Sequence, residues 1–140
     1  MKKVTLSTLA LAFVLLLGGA VHAQSTAPKI LGTYVGPAKV VCKGGFFDAK
    51  VTLKITKQKG HVLKGTAILE GFPPGEGGSG SITFNGVIMG DTLEMIIGTD
   101  THGRATISGN TAEGYVHSIG DLGQIKTYNP FSMWFVVEKQ

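Results

Sequence analysis

The sequence predicts an all-β fold: an eight-stranded antiparallel meander closed into an up-and-down barrel, with a two-sheet β-sandwich as the alternative. Three observations carry this reading. Past the N-terminal region, apolar residues recur with a period of two, and no stretch of ten or more residues keeps apolar positions at i, i+3, i+4 and i+7. Glycine makes up 21 of the 140 residues and falls at turn-like intervals. The joints between alternating runs are short and leave no room for a crossover helix, so consecutive runs pair as hairpins. Eight twisted strands of this length close naturally on themselves, which removes the exposed edges.

Residues 1–23 read as a cleaved secretory signal. Lys2 and Lys3 are followed by an apolar run from Val4 to Leu17 and then by Ala20-Val21-His22-Ala23, with small residues at −3 and −1. The run is shorter than the roughly 20 residues that span a bilayer. Removing it leaves a single domain at 24–140, with 11 Lys and Arg against 9 Asp and Glu. The sequence pI near 9.3 therefore owes part of its value to the leader, and it is a poor argument for nucleic acid. These features exclude a multidomain enzyme and point to an exported chain, periplasmic or secreted. Cys42 is the only cysteine, so no internal disulfide forms. It reads as a small buried residue ending Val40-Val41-Cys42, with an intermolecular disulfide or a reactive thiol as the sharper alternatives. It lies too far past Ala23 to carry a lipid.

The elements follow in order. Residues 47–56 are the clearest strand: Phe47, Ala49, Val51, Leu53 and Ile55 alternate with Asp48, Lys50, Thr52, Lys54 and Thr56, one buried face and one wet face. A turn is expected at 57–60, then a strand at 61–70 with Leu63, Gly65, Ala67 and Leu69 on one side. Residues 71–79, with Pro73 and Pro74, read as an irregular surface loop. Strand 80–89 puts Ile82, Phe84, Gly86 and Ile88 together, and Gly90-Asp91 is a two-residue hairpin candidate. Leu93, Met95 and Ile97 share the next inner face. Residues 100–103 are expected to turn, 104–108 to form a short strand, Gly109-Asn110 to turn again, and 112–119 to form the seventh strand. The chain then turns at 120–123, runs through 124–128, pauses at Asn129-Pro130 and ends in a strand over 131–138.

Catalytic and metal motifs are thin. Gly75 to Gly80 match G-x-G-x-x-G, but two prolines precede them and a strand follows, where a dinucleotide site needs a helix N-terminus. His117 and Ser118 are neighbours on a strand and point to opposite faces, and there is no nucleophile elbow. His61, His102 and His117 lack the i, i+2 spacing that would put two ligands on one face, so neither a metal nor another cofactor is expected. Tyr115, His117 and Ile119 are expected to share the inner face of the seventh strand. Tyr115 and His117 would then be polar anchors of an apolar pocket lined by Phe84, Met95 and Met133. The last strand is apolar on both sides at 133–137, which suggests a cover such as the N-terminal segment, the Pro-Pro loop or a second subunit. Lys50, Lys54, Lys57, Lys59 and Lys64 cluster on two adjacent strands and read chiefly as a soluble face, with lipid headgroups or polysaccharide as a minor reading. A membrane-spanning barrel is disfavoured, because one face of strand 47–56 would set lysines in lipid.

Gly32-Thr33-Tyr34 at the domain opening, Leu63-Lys64-Gly65-Thr66 in a second hairpin strand and the closing Trp134-Phe135-Val136-Val137 resemble the lipocalin- and avidin-like (calycin) small barrels. Tyr34 stands where avidin-like chains carry a tryptophan. The resemblance implies a container that binds small ligands at the barrel mouth, and it adds Tyr34 to the candidate ligand contacts. The leading expectation is thus a non-catalytic binder of a small apolar or amphipathic ligand. A structural or interaction module with a filled core is the alternative, and an isomerase or cyclase using Tyr115 and His117 is the third. A cavity above about 300 Å³ would favour the binder; a filled interior would favour the interaction module.

Overall fold

A computed structural model describes residues 26–42, 44–71, 80–119 and 130–140. Eight strands follow in chain order: β1 (Gly32–Cys42), β2 (Gly45–Lys59), β3 (Val62–Glu70), β4 (Gly80–Met89), β5 (Thr92–Ile97), β6 (Thr101–Ser108), β7 (Thr111–Ser118) and β8 (Phe131–Lys139). Each pairs antiparallel with the next, and β8 returns to β1 to close the barrel. The sandwich alternative is thereby excluded. The export signal expected at 1–23, most of the irregular stretch at 71–79, the turn at 120–123 and the strand piece at 124–128 lie outside the described residues.

Alternation decides what fills the interior. On β2, Val51, Leu53 and Ile55 are buried while Lys50 and Lys54 are exposed. Leu63, Ala67 and Leu69 of β3, Phe84 and Ile88 of β4, and Leu93, Met95 and Ile97 of β5 also face inward, as expected. Following the register from Val40 strand by strand round the barrel returns to β2 at Gln58, eleven positions beyond Phe47, the first partner of Val40. An irregularity between Ile55 and Lys57 lies within that span. A stagger of this kind tilts the strands and leaves a bore that side chains can fill. Glycine thins the wall where it must. A Cβ at Gly65 would lie 2.4 Å from the Lys54 carbonyl oxygen and 2.6 Å from Cζ of Phe84, so the absent side chain is the space the Phe84 ring occupies.

The chain before β1 seals one end. Ile30 is buried, its N–H donates to Gln58 Oε1 at 3.0 Å, and the Tyr34 hydroxyl donates to the Ile30 carbonyl at 3.1 Å. Gln58 Nε2 donates to the carbonyls of Pro28 (2.7 Å) and Gly60 (3.1 Å). Lys139 Nζ sits 5.9 Å from the centre of the Tyr34 ring.

Three expectations are corrected. Tyr115, His117 and Ile119 point outward, and Ala112, Val116 and Ser118 point in. The cause lies on the neighbouring strand: Val137, Phe135, Met133 and Phe131 of β8 stand opposite Ala112, Gly114, Val116 and Ser118, and this bulk leaves room only for small partners. Glu113 shares the phase of Tyr115, so turning the phenol inward would drive an unpaired carboxylate into the core. Two turns also move. β2 continues to Lys59 and the chain turns at Gly60 and His61, while β6 begins at Thr101 after a turn at 98–100. Gly60 (φ +59°) and Gly98 (φ +61°) supply the left-handed conformation at these points, so the turns sit where those glycines are. Finally, β8 is not buried on both faces: Trp134 is 47% exposed and Val136 is half-buried.

Candidate functional site: an outer aromatic groove

The expected pocket residues separate into three places. Phe84, Met95 and Met133 do meet inside the barrel, but around a cavity of only about 20 Å³ with apolar walls. That is about one water's worth, far below the roughly 300 Å³ of a small-molecule pocket. Tyr34 lies at the sealed end against Ile30, where burial raises its phenol above the ordinary value of 10.0. Tyr115 and His117 lie outside. The two buried polar side chains of the described core are Thr101 and Ser118, and the Thr101 hydroxyl donates to that of Ser118 at 2.7 Å. A polar pair that satisfies itself keeps the dry interior consistent.

The outer face of the same strands is where polar and aromatic chemistry converges. Register aligns Asp48, Lys39, Trp134, Tyr115, Arg104 and Glu94 in one row across β2, β1, β8, β7, β6 and β5. The adjoining row towards the β1–β2 hairpin holds Phe46, Val41, Ser132 and His117. A groove of about 400 Å³ lies over the two rows, bounded by Phe46, Val41, Trp134 and Tyr115. Phe46 is 88% exposed, and Trp134 and Tyr115 are each about half exposed. Three aromatic rings left this open on a small barrel are a concentrated apolar patch, the kind of surface that marks a binding site.

Charge frames the rings. Lys39 pairs with Asp48 beside Trp134, and Arg104 donates to Glu94 at 2.6 Å beside Tyr115. The Glu94 hydrogen bond, then its charge, then the Tyr115 phenol hold the Arg104 guanidinium above its ordinary pKa. His117 Nδ1 is 2.8 Å from Ser132 Oγ, which fixes the imidazole at the groove's edge. A second hollow of about 400 Å³ adjoins it, lined by Val41, Cys42, His117 and Ser132 among others. A flat ligand would find ring faces to stack on, a cation at either side and hydroxyls at the rim. Among the described residues no group of three or more His, Cys, Asp or Glu is placed to hold a metal, and no helix is long and apolar enough to cross a membrane.

Sequence reasoning named Tyr115 and His117 but set them inside the barrel, and it passed over Phe46, Val41 and Trp134. The signal was parity. Phe46 is in phase with Asp48 and Lys50, and Trp134 with Ser132, so both follow the wet face of their strands. Ile30 and Gln58 carried no such signal, because their roles arise from contacts nearly thirty residues apart.

The strands form an eight-stranded closed meander, an up-and-down barrel with an apolar bore. No protein-family model matches the chain, and no curated protein does. Among solved structures, one described as EF1p2_mFAP2b bound to DFHBI is similar over 79% of this chain and 93% of its own, with a TM-score of 0.51 and 16% identity. At that identity the likeness is one of fold.

Proposed function

We propose that this is an exported, non-catalytic binding protein that takes a small, flat, amphipathic ligand in the outer groove between Phe46, Trp134 and Tyr115. The filled bore, with about 20 Å³ free, leaves no barrel-mouth site and by itself favours an interaction module; the observation that carries a small-ligand reading is the groove of about 400 Å³ outside, flanked by exposed rings and two ion pairs. The fold likeness to EF1p2_mFAP2b, solved with DFHBI, is in keeping with small-molecule recognition by a barrel of this kind. The signal-like residues 1–23 support export to the periplasm or beyond. Affinity would come from burying ring area, and orientation from Lys39, Arg104 and the Tyr115 hydroxyl.

Native mass spectrometry of the protein from its own host tests this. The wild type is expected to retain a small bound mass, and a Phe46→Ala/Tyr115→Ala variant to lose it at unchanged melting temperature, since both side chains are exposed. A mass kept by the double variant would place the ligand elsewhere and end the proposal.

A further inference from the structure

A second face, on the other strands of the barrel, carries a different combination of side chains. Lys39, Lys50 and Arg104 each pair with a carboxylate, Lys50 with Glu70 at 3.5 Å. Lys54, Lys57, Lys59 and Lys64 are exposed and have no acidic partner among the described residues. Lys57 stands directly opposite Lys64 on the neighbouring strand, a like-charge juxtaposition that costs stability. The irregularity between Ile55 and Lys57 produces it: past that point the phase of β2 reverses, so Lys57 and Lys59 face outward and Gln58 turns towards Leu63. The strand thus adds unpaired positive charge to a face that already holds Lys54 and Lys64.

Exposed aliphatic side chains interleave with these lysines. Val62 (60% exposed) stands opposite Lys59 on one side and Val87 (39%) on the other. Lys64 stands opposite Asn85, and Asn85 opposite Ile96 (53%). Met89 (58%) lies two positions past Val87. One surface over β2 to β5 therefore sets the lysines of β2 and β3 beside Val62, Val87, Met89 and Ile96, with the Glu94 carboxylate opposite Val87 held by Arg104.

We infer that this lysine-and-aliphatic face docks on an anionic lipid surface. A soluble polyanion would use the charges and leave the aliphatic groups without a role. A bilayer surface uses both, with lysines among the headgroups and short apolar side chains at the acyl boundary. This inference is independent of the aromatic groove, which lies across β1, β8, β7 and the start of β2 at Phe46, whereas the lysines of β2 lie towards its other end.

Co-sedimentation with vesicles tests it. The protein is expected to pellet with phosphatidylglycerol–phosphatidylcholine vesicles at low ionic strength, to be released by salt, and to stay in solution with pure phosphatidylcholine. Lys57→Gln/Lys64→Gln should weaken partitioning by about 25-fold, at roughly fivefold per lysine. Val62→Ser/Met89→Ser should weaken vesicle binding but leave retention on heparin unchanged, and Phe46→Ala should change neither. The proposal is overturned by no pelleting with the anionic vesicles, by equal binding of the wild type and the double-lysine variant, or by a Val62→Ser/Met89→Ser variant that binds vesicles as the wild type does. Melting temperatures at or above wild type exclude misfolding as the cause, the double-lysine variant gaining from the lost repulsion, and all the altered side chains are exposed.

Discussion

Gly65 and Phe84 show how closely the interior is packed. The ring of Phe84 occupies the place of a missing Cβ, and the carbonyl of Lys54 stands 2.4 Å from the same point. A rotamer change can move the ring but not the carbonyl. Gly65→Val is therefore expected to destabilise the domain by about 3 kcal/mol, while Gly60→Ala, with nothing within 4 Å, pays only for its positive φ. Denaturant titration of the two variants checks the order, and equal losses would contradict this packing. Tyr34 gives a second residue-level test. Its phenol is raised above 10.0 by burial, so the fold favours the neutral form. That contribution is fully present below pH 10 and fades as pH climbs from there through the higher folded value. Wild type and Tyr34→Phe should thus differ by about 1 kcal/mol near neutrality, the worth of the hydrogen bond to Ile30. The gap should narrow in alkaline unfolding titrations; a constant gap up to strongly alkaline pH would count against it.

At the scale of elements, the segment before β1 behaves as a ninth component of the barrel, a plug tied down by one glutamine. Gln58→Ala removes the bonds to Ile30, Pro28 and Gly60 together. Limited proteolysis is expected to cut within residues 26–31 of this variant well before the wild type, with the β-sheet circular dichroism intact. Equal cleavage rates would show that burial of Ile30 and its bond from the Tyr34 hydroxyl are enough to hold the segment. None of this was legible from local pattern, since a plug is defined by contacts between distant residues. The strands were legible, because a half-buried strand writes its burial into every second residue, and residues 47–56 do so with apolar and polar or charged side chains in strict alternation. β7 was misread for a physical reason: its inner residues, Ala112, Gly114, Val116 and Ser118, are small, and its outer ones, Tyr115 and His117, are large. Size suggested the wrong face. Glu113, in phase with Tyr115, was the correcting signal, and the inward β8 residues opposite explain why small side chains are required there.

For the molecule as a whole, closure of the barrel puts its apolar side chains into a filled bore, and the proposed recognition falls to the outside. The two outer faces differ in chemistry: rings framed by ion pairs over β1, β8, β7 and the start of β2, unpaired lysines beside aliphatic groups over the rest of β2 and β3 to β5. Only the register brings either set together, which is why the groove residues, on four strands, looked unrelated along the chain.

The protein has a single tryptophan, and it stands in the groove. The most direct measurement is therefore its fluorescence during titration with a flat anionic dye, 1-anilinonaphthalene-8-sulfonate, for wild type, Phe46→Ala, Tyr115→Ala and the core variant Met95→Leu, whose side chain lines the interior and not the groove. Quenching of Trp134 with tenfold or greater weakening in each groove variant, and wild-type affinity in Met95→Leu, is the expected result. Dye binding that ignores Phe46 and Tyr115 but falls with Met95→Leu would place the ligand inside the barrel and contradict the account.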